Sequence, residues 1–190
     1  MALDRGNYVI RSCSNTFMEL NEPRRAMDFV QLDSGSEWAA NRTAYVLLQE
    51  GKVTEARQLF TKAASSYLWR QDRDLFEACL DPSRSVELDA ITRKAESATL
   101  NENDSEAHYM VGRLLAYCGQ KDAALRLLKG AIEQNYCAYT ALKTDPLLTK
   151  LRGTPDMNGL LSEAEQCRNA ILAQVGAGTS PTIGTLTFPS

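Results

Sequence analysis

Few side chains in this sequence could do chemistry. There is one histidine, His108, and there are five cysteines, Cys13, Cys79, Cys118, Cys137 and Cys167, no two of them closer than nineteen residues. A zinc site needs several His, Cys or carboxylate ligands at short, matched spacings, so no metal and no other cofactor is expected. A cysteine nucleophile needs a base beside it and an electropositive setting. Cys118 is the cysteine nearest His108, but ten residues of helix would hold the two about 15 Å apart. His108 falls at a packing position and reads as a partly buried histidine with one hydrogen bond. The stretch GRLLAYCGQKD (112–122) sets a lysine after a glycine, yet the spacing is not that of a phosphate loop. No catalytic residue is assigned, and the chain is expected not to be an enzyme.

The cysteines carry a second expectation. They are odd in number and never form a CxxC pair, and the N-terminus MALDRGNYVI lacks the apolar centre of a signal peptide. They read as reduced thiols of a cytoplasmic protein. A net charge of −3 and a pI near 5.3, with no Lys/Arg cluster larger than a pair, offer no basic field to a phosphate backbone, so nucleic acid is excluded as a partner. No apolar run approaches the roughly 20 residues that cross a bilayer, and no membrane partner is expected. With 190 residues, 44% of them hydrophobic, the chain suits one globular domain or a short repeat array.

A repeat is visible. WAANRTAYVLLQEGKVTEARQLFTKAA (38–64) and EAHYMVGRLLAYCGQKDAALRLLKGAI (106–132) align without a gap at an offset of 68, twice 34. Ala44 meets Gly112, Leu47 meets Leu115, Gly51 meets Gly119, Ala56 meets Ala124, Phe60 meets Leu128 and Ala63 meets Ala131. Each stretch reads as two amphipathic helices joined at a glycine turn, with small residues where the helices must approach closely. Both stretches resemble the tetratricopeptide repeat (TPR) family, whose 34-residue pattern asks for small residues, a turn glycine and a bulky apolar residue at these places. They depart from it where the family has a large aromatic (Ala40 and His108 here) and a late proline (Leu68 and Tyr136 here).

The resemblance implies an all-α fold: a right-handed superhelix of TPR-like antiparallel helical hairpins, about three to four units, closed by a C-terminal capping helix. The expected units are 7–34, 37–70, 71–104 and 105–138, with a cap over 139–173, so that residues 1–173 form the repeat domain and 174–190 a flexible tail. In the third unit Asp81-Pro82 cuts the first helix near Leu80. Pro82 then opens a long helix with Val86, Ala90, Ile91, Ala95 and Ala98 on one face. In the first unit Asn21 takes the turn and Pro23 opens the second helix. Proline is tolerated in the first turn of a helix, and Asp or Thr before it can cap the bare N–H groups.

The same reasoning places a two-turn helix at 146–152, ended by Gly153, and a longer one from Pro155 that buries Met157, Leu160, Leu161, Ala164, Cys167 and Ile171. An array needs such an atypical end to cover its last apolar face. The ending from Tyr136 to Pro155 resembles the C-terminal regions of multidomain bacterial signalling proteins, in which a helical array follows a winged-helix or Ser/Thr kinase effector.

In the TPR family, set positions of each first helix line a concave groove that holds extended peptides or partner helices. Carried onto this sequence they are Trp38, Asn41, Tyr45, Leu48 and Gln49, then Glu106, Tyr109, Arg113, Ala116 and Tyr117. The resemblance thus implies a protein-interaction module that binds a protein or peptide in its groove within a bacterial signalling or regulatory system. A second reading makes the chain the detached sensor or scaffold region of a regulator or kinase, packing on its own effector domain or on a second copy. A third, an enzyme such as a hydrolase, has the least support, because no acid/base pair can be assembled from the sequence.

Overall fold

The computed structural model describes residues 8–62 and 70–177, and among them there are ten α-helices and no strand. The helices pack in consecutive antiparallel pairs: α1 (Tyr8–Glu19) on α2 (Pro23–Leu32), α3 (Glu37–Gln49) on α4 (Val53–Lys62), α5 (Arg70–Leu80) on α6 (Leu88–Leu100), and α7 (Ser105–Tyr117) on α8 (Lys121–Glu133). The second helix of each pair rests on the first helix of the next. This is an all-α helical repeat. It ends in α9 (Tyr139–Thr144) and α10 (Pro155–Ala177), which lies against both α8 and α9. Ala63 and Leu68, named above for the repeat pattern, lie outside the described residues, as do residues 178–190 of the expected tail.

Local signals set the helix ends. Ser36 accepts from the Ala39 N–H at 3.0 Å to cap α3, and Asp104 accepts from Glu106 and Ala107 to cap α7. Such caps each contribute about 1 kcal/mol. Gly51 and Gly119, at equivalent places in the two aligned stretches, have φ of +75° and +83°, which turn the chain from first helix to second. Asn21 does the same between α1 and α2 at φ +57°. Pro23, Pro82, Pro146 and Pro155 each stand at the start of a helical segment.

One apolar core runs through the array. Phe60 stacks on Phe76 with ring centroids 4.1 Å apart, joining the second pair to the third. Leu114, Leu115, Leu127, Leu128 and Ala131 are fully buried between α7 and α8. Gly112 is the close-approach position there: a Cβ on it would lie 3.2 Å from the Leu128 side chain. His108 is buried with its Nε2 3.1 Å from the Glu102 carbonyl.

Four expectations are corrected. Pro82 opens a 3-10 segment, Pro82–Glu87, before α6 begins, so Val86 points to solvent at 89% exposure instead of joining the packed face. The helix expected at 146–152 is a 3-10 turn, Pro146–Leu148, whose Leu147 N–H is held by the Asp145 side chain; Leu147, Leu148 and Leu151 are buried all the same. α10 runs to Ala177, into the stretch expected as tail, because no proline interrupts it before Pro181. Its last turns outrun the helices beneath, leaving Ile171 exposed together with Leu172 and Val175.

The fourth correction concerns the thiols. Cys79 is bonded to Cys118 and Cys137 to Cys167, each pair with Cα atoms 5.3 Å apart, and Cys13 remains a thiol. Spacings of 39 and 30 residues hide this adjacency from the sequence, since only the packing of α5 on the end of α7, and of α10 on the turn after α8, creates it. Disulfides persist in oxidising compartments, so the cytoplasmic expectation loses the support it drew from unpaired cysteines. Among the described residues no helix is long and apolar enough to cross a membrane.

Candidate functional site

The groove positions of the second and fourth pairs converge. Arg113, fully buried on α7, places its guanidinium carbon 5.4 Å from the Tyr45 ring centroid on α3 and 5.6 Å from that of Tyr109. Tyr45 and Arg113 occupy the same place in the aligned stretches, so equivalent positions of the two units meet here. Arg42 reaches over the same gap toward Glu106, with N and O 3.9 Å apart.

A buried charge needs a partner, and Arg113 has one in Asp145, with Nη1 and Oδ2 3.1 Å apart and both side chains fully hidden. Tyr109 donates its hydroxyl to the same Asp145 oxygen at 2.7 Å, and the other oxygen accepts from Leu147 N–H at 2.9 Å. Burial opposes the charge on Arg113, but Asp145 and the phenols of Tyr109 and Tyr45 more than restore it, so the guanidinium stays protonated. Burial also raises the Tyr109 phenol well above its ordinary range, reinforced by the Asp145 charge, and keeps it a donor.

The first pair closes this side. α1 carries Arg11, Asn15 and Glu19 on one face, four residues apart. Asn15 donates to Glu106 on α7, and Glu19 accepts from the Tyr136 hydroxyl at 2.5 Å. Tyr136 in turn stacks on Tyr109 with centroids 4.9 Å apart. Gln49 donates to the Met18 carbonyl at 3.0 Å. Burial raises the Glu19 carboxyl above its ordinary value against the opposing Tyr136 hydrogen bond, and burial raises Glu106 against the pull of Arg42.

Of the predicted groove residues, Tyr45, Glu106, Tyr109 and Arg113 thus share one polar and aromatic cluster, while Gln49 is held against the end of α1. Ala116 and Leu48 are buried in the apolar core. Trp38 stands apart in a small cluster with Val30 and Ala39, under the Arg11 guanidinium at 5.3 Å. Tyr117 is half-buried at the far end of α7, with the Lys150 ammonium 5.5 Å from its ring centroid. Trp38, Asn41, Tyr45, Leu48, Gln49, Tyr109 and Arg113 are all buried, and Glu106 and Tyr117 keep exposed surface. Both amide atoms of Asn41 are buried without a hydrogen-bond partner.

Sequence reasoning missed Asp145, Glu19, Asn15, Arg42 and Tyr136. Asp145 was visible as the capping residue before Pro146, and Tyr136 as a departure from the repeat pattern at the start of the chain's ending. Nothing local signals that either belongs to Arg113 or Glu19. Among the described residues no group of three or more His, Cys, Asp and Glu side chains could hold a metal ion.

No family model matches this chain, and no curated protein does. Among solved structures it is similar to the crystal structure of YrrB, a TPR protein with an unusual peptide-binding site, at 21% identity and a TM-score of 0.35, over 88% of this chain and 89% of that one. The helical-repeat fold rests on the order and packing of the helices themselves.

Proposed function

We propose that this chain is a non-catalytic protein-interaction module that holds a partner protein or peptide on its concave side. The observation that carries the reading is the meeting of Tyr45, Tyr109 and Arg113, from two separate units, in one polar and aromatic cluster, with the unpartnered amide of Asn41 buried one turn before Tyr45 on α3. Tyrosine and arginine are the usual anchors of interfaces, and a buried amide with no partner is a group that a ligand's main chain could satisfy. Glu106 and Tyr117, eleven residues apart on α7, lie on one face about 16 Å from each other and mark a path that an extended segment would follow. The bacterial signalling setting, with an effector domain or a second copy as partner, rests on the resemblance of residues 136–155.

The test is a pull-down from native lysate with the full chain and two variants, Glu106→Arg and Tyr117→Ala, chosen because neither side chain is fully buried. A partner kept by the parent chain and lost by both variants, each with unchanged helical circular dichroism, supports the reading. Retention indifferent to both substitutions overturns it.

A further inference from the structure

The seams between helix pairs are closed in two ways. Phe60 on Phe76 closes the seam between the second and third pairs with apolar surface, as the leucines between α7 and α8 do within the fourth pair. α1 puts Met18 into the apolar core with Phe17 against it, and adds polar contacts to the far side of the array. Asn15 and Glu19 reach Glu106 and Tyr136, 91 and 117 residues away, while Gln49 holds a backbone carbonyl in the last turn of α1. A groove grips a bound helix in this manner: side chains at i and i+4 are read, and an open carbonyl at the helix end is capped.

The polar seam is also incompletely satisfied. Ser14 Oγ, Asn15 Oδ1, Gln49 Oε1 and both amide atoms of Asn41 are buried with no hydrogen-bond partner. Most buried polar groups in a permanent interface are paired. On the other side, α2 is anchored to α3 by a small separate cluster of Val30, Trp38 and Ala39. The connection between α2 and α3 contains Gly35 at φ +94°, with open space around it. α3 keeps its own cap from Ser36. α2 and α3 therefore keep an apolar contact of their own, and α3 its own cap, without α1.

We infer that α1 is an internal occupant of the binding face, and that a partner enters by replacing it with a helix that carries an amide and a carboxylate four residues apart. This rests on the interaction reading above. It adds that the face is closed at rest, and it specifies the chemistry of what opens it.

The test uses a fluorescent synthetic peptide of residues 8–22, with Cys13→Ser, titrated into the full chain. In a full chain carrying Asn15→Ala and Glu19→Ala, the internal helix competes less, so the peptide is expected to bind about tenfold tighter or more than to the parent chain. A peptide carrying those same two substitutions is expected to lose about as much. Equal affinity for the two chains, or a peptide indifferent to its own substitutions, overturns the inference. A second measurement needs no variant chain: hydrogen exchange of the isotopically labelled parent chain, with and without excess unlabelled peptide.

The chain's own α1 amides should lose protection on adding peptide while those of α7 and α8 keep theirs; α1 amides that stay protected overturn the inference. The two readings fail separately. A partner lost with Glu106→Arg whose complex leaves α1 protected removes the inference and keeps the interaction module. An exchangeable α1 with no partner sensitive to Glu106 does the reverse.

Discussion

The α7–α8 contact and the polar seam lie on two faces of the same helix, and they are stabilised by different physics. Between α7 and α8 the contact is mostly a matter of volume, with leucines and alanines filling the space that Gly112 leaves and the polar side chain of His108 among them. On the opposite face of α7, Arg113, Tyr109 and Glu106 are buried or half-buried beside Asp145, Tyr136, Glu19 and Tyr45, and each depends on one particular atom elsewhere. An apolar seam tolerates repacking, whereas a polar one costs several kcal/mol once a single partner is removed.

The largest effect should come from breaking the polar seam at its centre. Arg113→Ala strands the Asp145 carboxylate and should cost about 3–5 kcal/mol. Asp145→Ala should cost as much or more, because it also orphans the Tyr109 hydroxyl and the Leu147 N–H. The double variant should cost less than the sum of the singles by at least about 1 kcal/mol, measured by urea denaturation. Strict additivity would mean that the pair does not interact in solution.

The disulfides come next, and they sharpen the comparison because they staple the apolar part of the array. Cys79–Cys118 joins the ends of α5 and α7, and Cys137–Cys167 joins the turn after α8 to α10. Unfolded without reductant, the chain should show one reactive thiol, Cys13, where unpaired cysteines would give five. Reduction should lower stability by about 2–4 kcal/mol per bridge.

Two glycines outside the polar seam give a smaller, signed contrast. A Cβ at position 130 would lie 2.8 Å from Nδ1 of His108, so Gly130→Ala should cost about 1–3 kcal/mol. Gly159 sits inside α10 with nothing near its missing Cβ, so Gly159→Ala should stabilise by about 0.5–1 kcal/mol. Thermal melts of the two variants should move in opposite directions.

This division also decides what could be read from the sequence. Ala44, Gly112, Ala56, Ala124, Phe60 and Leu128 announce their roles because helix packing repeats every turn and the repeat was duplicated at a fixed offset. Caps and prolines announce helix starts because their chemistry is local. The candidate site was half legible: the resemblance supplied Asn41, Tyr45, Tyr109 and Arg113, but not their partners. The bonds from Arg113 to Asp145 and from Glu19 to Tyr136, and both disulfides, join segments with no sequence relation, so only the closed array reveals them. Val86 and Ile171 were misplaced for a different reason. Periodicity gives a face to a helix, but neither the 3-10 segment that takes Val86 off it nor the point at which the helices supporting Ile171 end.

The smallest expected effect tests the outer edge of the polar seam by pH. Glu19 and Glu106 both have raised carboxyl pKa values, chiefly from burial, with Glu106 also raising Glu19. The groups facing Glu19 are Tyr136, Glu106, Arg113 and Arg42; those facing Glu106 are Arg42, Asp104 and Asn15. Above the ordinary carboxyl range, and up to the raised values, the folded chain holds more protons than the unfolded one. Stability from these two groups is therefore fully present below the ordinary value and is lost as pH rises through the raised ones. Asp81 opposes the trend: hydrogen bonds from the Ser83 side chain and backbone lower its pKa, so its contribution falls away on acidification. The comparison that isolates the seam is thus the difference between the parent chain and Glu19→Gln as pH is brought from neutral to about 5. The parent's denaturation midpoint should improve relative to the variant's over that range. Parallel curves would mean that Glu19 is as well solvated in the folded chain as in the unfolded one, and that the seam at α1 stands open.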